Sequence, residues 1–276
     1  MPRRNNYNIT NVLIPPDKVM LTKAYKLVVD KDIRVSELLA VITKDPVLVL
    51  EIFKAGNKAY LEANKLCDLS QIINNIGFDA LKKVLIKLRD RELPTNYKVQ
   101  KAVDNYREQA VKVSEVSSII AKFVNSDLIE KVKIGGLFTT IGYIIVLTYL
   151  GIDFIEFDEN PTPQILKIEL ETKNNLNAEK LRIEYLSKYL PMKLVNLYDS
   201  NVEFAKSSDE YRVKEIIECA KEFIATYNEN IINPYKPLED VLEKSFLKDL
   251  LFTGDEYNKT LKEIIAYLTW YSFGKA

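Results

Sequence analysis

VSELLAVITKDPVLVLEIFKAGNKAY, Val35 to Tyr60, contains two apolar runs divided by Asp45-Pro46. The first run reads as a short helix that can start at Ser36 and must end near Lys44. Asp45-Pro46 then opens a second helix. Aspartate before a helix accepts hydrogen bonds from the first free amides, and proline fits the first turn because it has no amide to leave unpaired. Val47, Leu50, Ile52 and Phe53 supply the buried face of this helix, which runs out near Gly56-Asn57. A stop signal followed at once by a start signal sets the expectation for the whole chain, helices packed on helices.

The pattern continues in both directions. Upstream, an Ile-Pro-Pro turn leads into Val19, Leu21, Ala24, Leu27 and Val28 at helical spacing. Downstream, Leu69 to Arg91 predicts two helices divided at Gly77. The second turns Leu81, Val84, Leu85 and Leu88 inward and Lys82, Lys83, Lys87, Arg89 and Arg91 outward. That basic face, within residues 79–91, suits an acidic partner, a phosphate or plain solvent, and the acidic residues close behind it favour solvent. Pro94 breaks the chain.

A long helix is expected over about residues 97 to 125, where Val99, Ala102, Val103, Tyr106, Ala110, Val113, Val116, Ile119, Ile120 and Phe123 keep the period. Another starts near Asp127, pauses at Gly135-Gly136 and resumes from Ile141 to Leu150; a glycine pair is what a helix break or a close helix crossing requires. Residues 151 to 175 are polar and carry prolines, which predicts a loop. LNAEKLRIEYLSKYLP reads as a helix capped by Asn177 and stopped by Pro191. Helical patterns follow over Val213 to Tyr227, Leu238 to Leu251 and Tyr257 to Tyr271. There is no alternating strand pattern, and no repeat at the roughly 34- or 40-residue spacing of helical solenoids.

Composition agrees. A chain of 276 residues does not require two independent cores. With only 8 Gly and 10 Pro, it has little material for the tight turns of a β-sandwich or barrel. The expected class is all-α, a compact multi-helix bundle with a smaller N-terminal helical lobe. The basic start MPRRNNYNIT leads into no long apolar run, and IGYIIVLTYLGI is shorter than the ~20 residues that cross a bilayer. The expectation is a cytoplasmic protein without membrane insertion.

Basic and acidic residues balance at 39 each, which removes the broad attraction on which non-specific nucleic-acid binding depends. Cys67 and Cys219 lie far apart and read as buried thiols rather than ligands. The most informative count is the absence of histidine. It excludes Ser-His-Asp and Cys-His catalysis, imidazole general bases and every metal site that needs a histidine ligand. Carboxylate-only magnesium chemistry survives that test, and Glu156, Asp158, Glu159, Glu169 and Glu171 are its candidates, with a solvated acidic loop as the plainer alternative. The terminal Trp270-Tyr271-Ser272-Phe273 either docks on the body or forms a patch for a partner.

Four stretches, in order and spacing, resemble the HD-related output domain (HDOD), a bacterial signalling family. VSELLAVITKDPVLVLEIFKAGNKAY is similar to its helix-Asp-Pro-helix-Ala-Asn segment, with Asp45, Pro46 and Asn57 in place. LSQIINNIGFDALKKVLI resembles the segment that follows. GGLFTTIGYIIV resembles a Gly-Leu-Leu-His-Asp-Ile-Gly stretch. NAEKLRIEYLSKYLP resembles a later helix that often begins His-Ala-Glu and ends Leu-Pro. The likeness is strongest over residues 13 to 210, and the rest, to 276, would complete a single HD-like domain after a flexible start at 1–12.

The resemblance also locates a site. Members of the wider HD phosphohydrolase superfamily hold metal through histidines and an adjacent His-Asp pair, and the metal lowers the pKa of a bound water. Here that pair corresponds to Thr139-Thr140, the later histidine to Asn177 and an upstream one to Glu108. Hydroxyls and an amide do not replace imidazole and carboxylate around a divalent ion. The expectation is therefore no catalytic residue, no metal and no cofactor. Either the threonine hydroxyls bond main-chain carbonyls one turn away, or Glu108, Thr139, Thr140 and Asn177 line a relic pocket for a small ligand. The function that follows is a non-catalytic signalling or scaffolding domain that works through a protein partner. The alternative is a sensor that holds a nucleotide or cyclic dinucleotide without hydrolysing it.

Overall fold

Asp45 opens a helix that is surrounded by protein on every side. In the computed structural model, which describes residues 12–30, 33–56, 61, 68–92, 97–150, 177–229, 234–244 and 254–273, Asp45 Oδ1 accepts the Val47 amide at 2.9 Å. The helices are numbered in chain order. Helix α3 (Pro46–Ala55) buries every residue from Pro46 to Phe53, which explains why its sequence is apolar all round. Glu51 is the exception within that run.

Helix α1 (Lys18–Val29) is capped by Asp17, which accepts the Met20 amide at 2.8 Å, and α2 (Val35–Ile42) ends where the Thr43 hydroxyl donates back to the Leu39 carbonyl. α1 buries Leu21, Ala24 and Val28. Val19, expected on that face, is 57% exposed. It lies about 200° around the helix from Leu21, so the two cannot share a buried stripe. Helix α4 (Leu69–Arg89) divides at Gly77, as its sequence predicts; φ there is 76° and an added Cβ would meet nothing, so the glycine serves the backbone rather than a close approach.

The long helix α5 (Tyr97–Val124) is followed by a 3-10 turn (Ser126–Leu128), α6 (Ile129–Leu137) and α7 (Ile141–Leu150). The glycine pair does not interrupt the helix; the expected pause is absent there and the other expectation, a close helix crossing, holds. α6 runs through both glycines and the break falls at Phe138–Thr140. The reason is proximity: a Cβ on Gly136 would stand 2.6 Å from Ser114 Cα, so the residue is small to let α6 touch the α5 backbone. Gly142 likewise lies against the Ala178 carbonyl, 2.1 Å from where its Cβ would be.

Asn177 caps α8 (Ala178–Leu186), and a turn leads to the short α9 (Met192–Val195), for which Pro191 is the cap. Helices α10 (Asp209–Glu229), α11 (Tyr235–Lys244) and α12 (Gly254–Phe273) complete the described chain. Among the described residues every regular element is helical. The all-α class is as expected.

The chain forms two compact units. The first comprises residues 1–108 and 140–196, in which α4 packs on α1, α2 and α3, and α7 packs on α8. The second comprises 109–139 and 197–276, in which α10 packs on α6 and α11, and α11 on α12. Cys219 is a buried free thiol; Cys67 lies outside the described residues. The stretch Ser126–Tyr149 is long and apolar enough to cross a membrane by length and composition, but 78% of its most apolar window is buried in the protein, as in a core helix. At the C-terminus the aromatic pair divides: Tyr271 is buried, with Lys112 Nζ 4.8 Å from its ring centre, while Trp270 is 60% exposed.

Candidate functional site

Thr139 and Thr140 occupy the break before α7, and both are buried. A hydroxyl removed from water must find a partner. Thr139 donates to the Gly136 carbonyl at 2.7 Å, within its own turn. Thr140 instead reaches another helix and donates to the Tyr106 carbonyl of α5 at 2.8 Å. The Tyr106 ring stacks on Tyr143 of α7, centroids 4.9 Å apart. Its hydroxyl is buried with no hydrogen-bond partner among the described residues, and burial followed by the neighbouring Tyr143 pushes that phenol well up.

Glu108 is half-buried on α5, where its side chain leaves the helix about 200° around from that of Tyr106. Asn177 is exposed, and its Oδ1 accepts the Lys180 amide at 2.9 Å as the cap of α8. Among the described residues no three of His, Cys, Asp and Glu are grouped to hold a metal ion. The acidic run from Glu156 to Glu171 and the motif residue Asn57 lie outside the described residues.

Among the described residues of the first unit, a cluster of buried charges lies on α3 and its cap. Asp45 is fully buried; its Oδ2 accepts the Asp17 amide at 2.6 Å, and its Oδ1 lies 3.8 Å from Arg107 Nε. Burial pushes the Asp45 carboxyl up, while Arg107 and the Val47 and Asp17 amides pull it down; the net direction is upward. Arg107 also donates to Asp104 at 2.8 Å and to the Pro15 carbonyl. One turn and a half further along, Glu51 takes a bidentate pair from Arg91 at 3.0 and 3.1 Å and a third bond from Lys54 at 2.7 Å. Burial alone would raise the Glu51 carboxyl, but Arg91 and Lys54 together hold it below the usual range.

Arg91 therefore does not belong to the outward basic face that the sequence suggested. Its side chain is 16% exposed and also donates to the Ile14 carbonyl at 3.3 Å. Lys83, Lys87 and Arg89 are exposed as expected, and Lys82 is half-buried. Lys54 Nζ lies 3.1 Å from the Tyr185 hydroxyl and 4.5 Å from the Tyr189 ring centre, and Tyr185 donates onward to the Val12 carbonyl at 3.0 Å. Pattern reading missed this cluster. The signal was a single glutamate inside the apolar run VLVLEIF: a charge in a fully buried helix requires partners of opposite sign.

The HDOD domain family model matches residues 14–179. Two solved structures share the fold. One is the MmoQ response regulator from Methylococcus capsulatus str. Bath, with 14% identity and a TM-score of 0.67 over 90% of this chain and 97% of that one. The other is a virulence factor from Campylobacter jejuni subsp. jejuni, with 14% identity and a TM-score of 0.63 over 93% and 95%. No curated protein matches the sequence.

Proposed function

The chain belongs to the HDOD domain family, and from that premise we propose that it is a non-catalytic bacterial signalling or scaffolding domain, cytoplasmic, that works through contacts with a protein partner. What supports this reading is the chemistry of the four residues that the resemblance matches to the ligands of the HD superfamily. Thr139 and Thr140 are neutral and spend their protons on main-chain carbonyls. Asn177 serves as a helix cap. Glu108 is the one carboxylate of the four, and the chain contains no histidine. This donor set does not fit a divalent cation, which in hydrolytic sites is held by several imidazoles and carboxylates. Without the ion, no group here generates hydroxide near neutral pH. What the helices retain is shape, and a response regulator among proteins of this fold fits a role in signalling.

The test is an assay of the purified chain with nucleoside triphosphates and cyclic dinucleotides in Mg²⁺ and Mn²⁺, paired with calorimetric titration of Mn²⁺. The expected result is neither turnover nor a heat of metal binding. Hydrolysis that disappears in Glu108→Gln would sink the proposal. A nucleotide that raises the melting temperature without being hydrolysed would move the reading from scaffold to sensor.

A further inference from the structure

Residues 12–17 belong to no helix, yet Val12, Ile14, Pro15 and Pro16 are buried. Buried main-chain polar groups need partners, and in irregular chain these commonly come from turns or neighbouring strands. Here they come from side chains. Tyr185 donates to the Val12 carbonyl, Arg91 to that of Ile14 and Arg107 to that of Pro15, while the Asp17 amide donates to Asp45. These four residues lie on α8, just after α4, on α5 and at the cap of α3. The segment's own side chains alternate: Val12 and Ile14 are 8% and 1% exposed, and Leu13 between them is 63% exposed. Fixed polar groups that hold the backbone, with pockets for alternate side chains, are how a groove binds an extended peptide.

We propose that Val12–Asp17 is a ligand held in cis. The ring of Tyr185, Arg91, Arg107 and Asp45 is a groove for extended peptides of the pattern apolar–any–apolar–Pro–Pro, filled by the chain's own segment and available to a partner's peptide once that segment leaves. The groove keeps its shape without its occupant. Arg91 is anchored by the bidentate bond to Glu51, Arg107 by Asp104 and Tyr185 by Lys54. What the segment gives these side chains is three carbonyls and one amide, so its release leaves the Glu51 and Asp104 ion pairs in place. Its two prolines restrict the free peptide, which lowers the entropic cost of rebinding. The inference stands apart from the proposed function, because a filled or open groove is compatible with the presence or absence of hydrolysis.

Ile14→Glu in the full chain removes the segment's anchor and leaves the groove intact. A fluorescent peptide with the sequence of residues 10–20 is titrated by anisotropy against the native chain, Ile14→Glu, and the double variant Ile14→Glu/Tyr185→Phe. The expected result is binding at least tenfold tighter to Ile14→Glu than to the native chain. In the double variant affinity falls by about fivefold, the worth of one neutral hydrogen bond. On the native chain, hydrogen exchange provides a second readout: the Asp17 amide, bonded to Asp45, exchanges at least tenfold faster than those of α3, because the segment opens locally. Equal affinity for native and Ile14→Glu chains overturns the proposal. So does exchange of the segment at the rate of α3, or loss of helical circular dichroism in Ile14→Glu, since either makes the segment core rather than ligand.

Discussion

Thr140 Oγ1 lies 2.8 Å from the main-chain oxygen of Tyr106, so a residue from the break before α7 bonds a carbonyl in the middle of α5. The polar residue that precedes α7 thus acts as a tie within the first unit. A side chain in that role tolerates replacement by shape more readily than a catalytic group would.

Thr140→Val keeps the volume and removes the hydroxyl. It is expected to lower stability by about 1 kcal/mol, the net worth of one hydrogen bond. Urea unfolding should show a shifted midpoint with an unchanged slope. A loss above about 3 kcal/mol would exceed what a single neutral hydrogen bond supplies.

The two glycines of α6 should respond differently. A Cβ on Gly135 meets Ile217 Cδ1 at 2.5 Å, the movable end of a side chain; one on Gly136 meets Ser114 backbone at 2.6 and 2.7 Å. Gly136→Ala is expected to destabilise by about 2–3 kcal/mol through forced backbone separation, and Gly135→Ala by under about 1 kcal/mol. Thermal melts of the two variants decide the order.

Glu51→Gln should reveal a pH dependence. The Glu51 carboxyl is lowered from its ordinary value of 4.5 in the fold, so the folded state binds its proton less tightly than the unfolded state. Its stabilising contribution is therefore present above that value and is lost as pH falls through the folded pKa. At pH 7 Glu51→Gln is expected to cost about 3 kcal/mol, because Arg91 and Lys54 lose a buried partner. The gap between native and variant should narrow as pH drops below 4.5. A gap constant from pH 7 to pH 3 would contradict the assignment.

Asp45→Ala removes the cap of α3 and the acceptor for the Asp17 amide together. A lost N-cap costs about 1 kcal/mol and a second stranded amide about 1–3 more. Asp45→Asn should fall between the native chain and Asp45→Ala, since its amide oxygen satisfies one donor while its NH₂ faces the other. Chemical denaturation of the three proteins tests that ranking.

Much of the helical plan was legible in the residues alone. The Asp45-Pro46 start, the division at Gly77, the cap at Asn177 and the inward stripe of α5 all follow from local rules: which side chain can bond a free amide, which residue tolerates a positive φ, which positions share a face. These interactions span a few residues, so a few residues specify them. The missing histidines likewise needed no coordinates. Tertiary structure decided the rest. Gly135-Gly136 left a helix break and a close helix crossing both open, and the fold chose the crossing: Ser114 of α5 stands against Gly136 and Ile217 of α10 against Gly135. Arg91 looked like surface and is bound to Glu51, 40 positions away. The hold of Tyr185 on Val12 spans 173 positions. A partner at such distance in the chain leaves no trace in local spacing; it is chosen by the fold, where burying a charge or a carbonyl is tolerable only if some remote group arrives to meet it.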